Sequence, residues 1–128
     1  MSSAIIDVKN LTHYLELIAK EKRLILINIG LKTCAPCFKL SMILEQMSLK
    51  YSHLLLILKI DINVDFKLPL DEQISRLFSI KQLPTIVFIK DGSLQHGNEF
   101  QIDGYDLSKL EIALVKLTDV KFDLQYVN

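Results

Sequence analysis

Leu24-Ile25-Leu26-Ile27-Asn28-Ile29-Gly30-Leu31-Lys32-Thr33-Cys34-Ala35-Pro36-Cys37 is the stretch that decides how this chain folds. Residues 24–29 are apolar on both faces apart from Asn28, which is the pattern of a central parallel strand. After the second cysteine, Phe38 to Tyr51 reads as a helix, with Leu40, Ile43, Leu44, Met47 and Tyr51 recurring at three- and four-residue steps. A strand running through a tight connection into a helix is half of a βαβ unit. Open α/β sheets carry their sites at the carboxyl ends of such strands.

Cys34 and Cys37 are the only cysteines in the chain. Two thiols at this spacing can close a small reversible disulfide. A helix that begins there makes the first thiol acidic and nucleophilic, because unpaired backbone N–H groups and the positive dipole end favour a thiolate. Pro36 has no N–H and its φ is preset for a first helical turn, so it shapes the site without losing a helix bond. Zinc is the competing reading of the pair. A tetrahedral site needs two more ligands, and His13, His53 and His96 are isolated from one another, so no metal is expected. In a reducing cytosol a lone cysteine pair is catalytic or metal-binding rather than structural.

Working outward, residues 11–20 form a helical stripe through Leu11, Leu15 and Ile18, with Tyr14 and Leu17 alongside and Asn10 as a cap. Residues 54–62 form a second buried strand. Asp71 caps a short helix through Phe78, with Ile74, Leu77 and Phe78 facing inward. Residues 85–90 are a third strand, and Asp91-Gly92 signals a hairpin turn. A fourth strand follows near 98–103, Gly104 breaks it, and a last helix runs from Leu107 to Leu117 with Asp106 at its start. This order predicts an α/β sandwich around a mixed sheet, with one domain over 1–117 and a C-terminal extension over 118–128. Residues 120–127 alternate apolar and polar, which is strand periodicity. That segment either folds onto the domain's own surface or offers an edge to a partner or a second copy.

The chain has 128 residues, of which half are hydrophobic, enough for a real core. Fifteen basic residues balance fifteen acidic ones. That balance steers the protein toward neither nucleic acid nor an anionic membrane. The longest apolar runs, Leu54–Leu58 and Ile86–Ile89, are far short of a membrane span. Met1-Ser2-Ser3-Ala4-Ile5-Ile6-Asp7-Val8 lacks the basic and apolar regions of a secretory signal, so the expectation is a cytoplasmic protein.

Taken together, these residues resemble the thioredoxin family over roughly 5–117. Cys34-Ala35-Pro36-Cys37 resembles the family's redox motif, which usually has Gly-Pro between the cysteines. Leu83-Pro84-Thr85 resembles its cis-proline loop, Lys90-Asp91-Gly92 the turn that follows, and Lys59-Ile60-Asp61 the strand carrying a buried lysine near the disulfide. Gly104 followed by Asp106-Leu107-Ser108 resembles the start of the last helix. The chain departs from the family at Thr33, where Trp is usual, at Asn28 in place of a buried Asp, and at Phe38 in place of Lys or Arg. It also has extra residues within 65–70 and runs on past the usual end.

The resemblance implies a thioredoxin fold, with a central mixed β-sheet flanked by helices on both faces. It implies a thiol–disulfide oxidoreductase in which Cys34 is the nucleophile and Cys37 resolves the mixed disulfide. Thr33, Ala35, Pro36, Asn28 and Lys59 would support the site, and Leu83, Pro84 and Thr85 would bind an extended substrate segment. It implies no bound cofactor. The disulfide would be reduced by an external donor, a thioredoxin reductase, and would act on protein disulfides as a monomer or weak dimer. The alternative is an interaction module that keeps the fold with weak or idle cysteines. A glutathione-using enzyme is a third reading, with Lys32 and Lys39 as the nearby basic residues.

Overall fold

The computed structural model describes residues 5–62 and 76–124. The elements run β1 (Ile5–Asp7), α1 (Leu11–Lys20), β2 (Leu24–Gly30), α2 (Ala35–Lys50), β3 (Leu55–Asp61), β4 (Thr85–Lys90), β5 (Ser93–Leu94), β6 (Ile102–Asp103) and α3 (Leu107–Thr118). Among the described residues they form a six-stranded mixed sheet in the order β1-β3-β2-β4-β5, with β6 also paired to β4. β1, β3 and β2 are parallel, and β4 runs antiparallel to β2.

Successive side chains of a strand point to opposite faces, and the two halves of each central strand feed different cores. Leu24 and Leu26 join Leu40, Ile43, Leu44 and Met47 of α2 and Leu110, Ala113 and Leu114 of α3. Ile25, Ile27 and Ile29 join Tyr14 of α1 and Phe78 on the other side. Helices therefore cover both faces, and the fold is the thioredoxin fold expected from the sequence. Each fully buried Leu or Ile contributes about 1.5–3 kcal/mol, which is why a strand as uniformly apolar as β2 belongs in the middle of the sheet.

Local chemistry sets the helix ends. Asn10 Oδ1 accepts from the His13 N–H at 2.9 Å, and Asp106 Oδ1 accepts from the Lys109 N–H at 3.0 Å. Asp119 closes α3 in the left-handed region, at φ 60°. Asp91 and Gly92 both take positive φ, 53° and 78°, as a tight hairpin turn requires.

Helix α2 starts at Ala35, with Cys34 as its cap and Pro36 in its first turn, as expected of a helix that opens at the cysteines. Other expectations need correction. Leu15 is half exposed, since the buried face of α1 centres on Tyr14. Leu77 also faces out, while Phe78 is buried. The start of that predicted helix, including Asp71 and Ile74, lies outside the described residues. The strand expected near 98–103 shrinks to Ile102–Asp103. Residues 120–124 form no strand. Instead Phe122 and Leu124 are fully buried between α2 and α3.

A charged clamp joins α1 to the far end of α2. Arg23 donates through Nε and Nη2 to both Glu21 carboxylate oxygens at 2.8 Å, and through Nη1 to the Ser52 carbonyl at 2.8 Å. The Arg23 hydrogen bonds hold the Glu21 carboxyl at about 2, below its usual 4.5. A depressed carboxyl stabilises the fold above its unfolded value, and the effect is lost as pH falls toward the folded one. Water reaches both side chains, so Glu21→Gln is expected to cost only about 0.5–1 kcal/mol at neutral pH. The gap between variant and wild type should close between pH 4.5 and 2. Urea midpoints at the two ends of that window check it.

Candidate active site

β2 delivers the chain to the edge of the sheet, where α2 begins. Cys34 has extended backbone and caps the helix, so its Sγ accepts the Cys37 N–H at 3.2 Å. Its carbonyl accepts the Phe38 N–H at 3.1 Å. Cys34 and Cys37 are joined as a disulfide, their Cα atoms 5.2 Å apart. Cys34 is half-buried and flanked by exposed Thr33, Ala35 and Pro36, whereas Cys37, one turn deeper, is buried. The outer sulfur therefore meets solvent first.

The segment before β4 forms the opposite wall. The Leu83 carbonyl lies 4.0 Å from Cys34 Sγ. The Leu83–Pro84 peptide is cis. Pro84 and Thr85 are buried, and the Thr85 hydroxyl donates to the Gln82 carbonyl. Gly104 fastens this wall from β6, since its N–H donates to the Pro84 carbonyl at 2.7 Å. It sits at φ +82°, a left-handed conformation that favours glycine, and a Cβ there would push aside the end of the Gln82 side chain.

Behind the disulfide, Asn28 is 4% exposed and its Oδ1 has no hydrogen-bond partner among the described residues. Such an orphaned oxygen costs about 1–3 kcal/mol. Asn28 lines a cavity of 220 Å³ together with Gly30, Cys37, Ser41, Lys59 and Asp61. A neighbouring cavity of 280 Å³ shares Asn28, Ser41 and Lys59 and adds Asp7 and Glu45. Lys59 is not the buried lysine implied by the resemblance. It is one-third exposed, because its place near the end of β3 lets the stem pack while the ammonium reaches to 4.0 Å from Asp61 Oδ2.

The sequence reading brought Cys34, Cys37, Asn28, Lys59, Leu83 and Pro84 to one edge, and the structure places them there. It missed Gly30, Ser41 and Asp61. Gly30 ends β2 directly under the disulfide, where a Cβ would sit 3.2 Å from Cys37 Sγ. A glycine closing an otherwise apolar strand is the signal of a close approach. On the outer rim Phe38 is 67% exposed, and Lys39 Nζ lies 5.2 Å from the Tyr105 ring centroid.

The family model for thioredoxin matches residues 5–110. The chain belongs to the thioredoxin family. Thioredoxin H8 of Arabidopsis thaliana is 28% identical over 124 residues, covering 94% of this chain and 76% of that protein. Thioredoxin-T of Drosophila melanogaster is 28% identical over 79 residues, which is 62% of this chain and 46% of that one. Among solved thioredoxins, that of Fasciola hepatica superposes with a TM-score of 0.71 at 24% identity, over 88% of this chain and 98% of that one. Mitochondrial thioredoxin 3 of Saccharomyces cerevisiae, in its oxidised form, gives 0.69 at 24%, over 91% and 96%. Membership of the thioredoxin family and a bonded Cys34–Cys37 pair together support thiol–disulfide oxidoreductase chemistry. No helix among the described residues is long and apolar enough to cross a membrane.

Proposed function

We propose that this protein is a thioredoxin-like reductase of protein disulfides. The observation that carries the reading is Cys34 Sγ at the cap of α2, half-exposed, bonded to Cys37 and facing the Leu83 carbonyl. In the dithiol form, Cys34 attacks one sulfur of a partner disulfide as thiolate, helped by the α2 N–H groups and dipole. The partner's other sulfur leaves and a mixed disulfide remains. Cys37 then attacks Cys34 Sγ, re-forms the internal disulfide and releases the second partner thiol. Leu83 offers backbone to an extended substrate segment lying across the site, with Pro84 packed against the disulfide and Thr85 beginning the strand below. Thr33, Ala35 and Pro36 form the contact surface around the nucleophile. The protein carries no resident cofactor. Its disulfide is re-reduced by an external donor, which we take to be a thioredoxin reductase, and it works as a monomer or weak dimer. A lone redox pair fits a reducing compartment, which we take to be the cytoplasm. We take 118–128 as an extension of the 1–117 domain, of which Phe122 and Leu124 pack into the core.

Insulin reduction, compared between wild type and Cys34→Ser, tests this. The wild type should turn over and the variant should not. Equal inactivity would favour an interaction module, the reading that the bare Phe38 ring beside Cys37 supports.

Asn28 cannot ionise and so cannot act as a base. Asn28→Asp puts a carboxylate at the Cys37 cavity. It should speed resolution of the mixed disulfide at least about tenfold. Stopped-flow rates for the two proteins decide it, and equal rates would remove the prediction.

A further inference from the structure

Cys37 must lose a proton before it can attack, and the groups around it limit where that proton goes. The described residues lining the Cys37 cavity include one carboxylate, Asp61, beside Lys32, Lys59, Ser41 and Asn28. Ammonium groups have no lone pair to offer, and an amide does not ionise. Asp7 and Glu45 line the neighbouring cavity, where Cys37 is not part of the wall. Asp61 pairs in register with Gly30 across β2 and β3. Gly30 is the residue on which Cys37 Sγ rests, so the acid lies one strand over from the resolving sulfur. The cavity is roomy enough for water and has the polar walls that water needs. The orphaned Asn28 Oδ1 is one of those walls.

We infer that Asp61 takes the Cys37 proton, through a water held against Asn28, and so relocates the base of the resolving step to β3. The inference rests on the oxidoreductase reading above. The step balances. The Cys37 S–H proton passes through the water to the Asp61 carboxylate, and Cys37 Sγ bonds to Cys34 Sγ. The bond from Cys34 to the substrate sulfur breaks, and its electron pair leaves with the substrate as thiolate. The two cysteines are oxidised and the substrate disulfide is reduced. Asp61 returns its proton to solvent past Lys59.

Stopped-flow with dithiobis(nitrobenzoate) separates the two halves. Attack by Cys34 releases the first coloured thiolate, and attack by Cys37 releases the second. A carboxylate is ionised across neutral pH, whereas a thiol is not. Base catalysis therefore keeps the wild-type second release level with pH in that range. In Asp61→Asn the second release should slow at least about tenfold. It should then climb about tenfold per pH unit with the thiolate fraction. The first release, unaltered, reports that the variant is folded. Adding Asn28→Asp to Asp61→Asn should bring the level profile back. A slowed second release that keeps its level profile would mean a merely structural role and overturn the inference, as would an unchanged one. Failure of the double variant to recover would overturn the route past Asn28. A wild type with no first release would instead defeat the oxidoreductase reading itself, and this inference with it.

Discussion

Cys37→Ser is expected to stop turnover and leave the protein joined to its substrate through Cys34. The first step survives, because Cys34 keeps its place at the cap of α2. The N–H of residue 37, which donates to Cys34 Sγ, belongs to the backbone and is not altered by the substitution. The second step fails, because no thiol remains one turn deeper. An internal nucleophile held at this distance acts with an effective concentration that external thiols at millimolar levels cannot approach, so insulin turnover should fall at least about a thousandfold. Intact-mass measurement should find the adduct, and peptide mapping should place it on Cys34. Turnover near the wild-type level would show that resolution does not run through Cys37. Cys34→Ser, in contrast, should form no adduct at all.

Phe122→Ala is expected to remove about 3–5 kcal/mol of stability. Domains of this size hold about 5–15 kcal/mol in total, so the variant would be close to unfolding. Phe122 has no exposed surface, and its ring centroid lies 4.2 Å from that of Tyr51 at the end of α2. The Tyr51 hydroxyl accepts the Asp123 N–H at 3.2 Å, and Glu111 Oε1 of α3 accepts the Leu124 N–H at 3.3 Å. The segment after α3 thus fills the gap between the two helices that flank the sheet on the side of the active site. Urea unfolding measures the loss, and Phe122→Leu, which keeps most of the volume, should lose much less. A change below about 1 kcal/mol in the alanine variant would mean that the pocket collapses around the missing ring.

How far the site could be read beforehand follows from the range of each signal. Cys34, Ala35, Pro36 and Cys37 are neighbours in the chain, and a helix cap is a local event. Their arrangement was therefore legible from spacing alone. Leu83 and Pro84 were reached through the family resemblance, since the chain offers no local reason for them to face Cys34. Asp61 was passed over for the opposite reason. Its significance comes from its register partner Gly30, and register between β2 and β3 is a property of the sheet. The short strand Ile5–Asp7 escaped notice because three residues carry too little periodicity to register. Alternation in 120–124 pointed to a strand, whereas burial of Phe122 and Leu124 only requires every second residue to face the same way.

Side-chain period and turn chemistry, both local, determined the strand–helix order, the hairpin at Asp91-Gly92 and the reactive pair at the start of α2. Those features depend on backbone preferences and on which residues avoid water, and both are written along the chain. Only the packed structure decided which groups stand behind the disulfide: an orphaned amide oxygen and a carboxylate on the adjacent strand. Those depend on distances across the sheet between residues far apart in sequence, which no local pattern encodes.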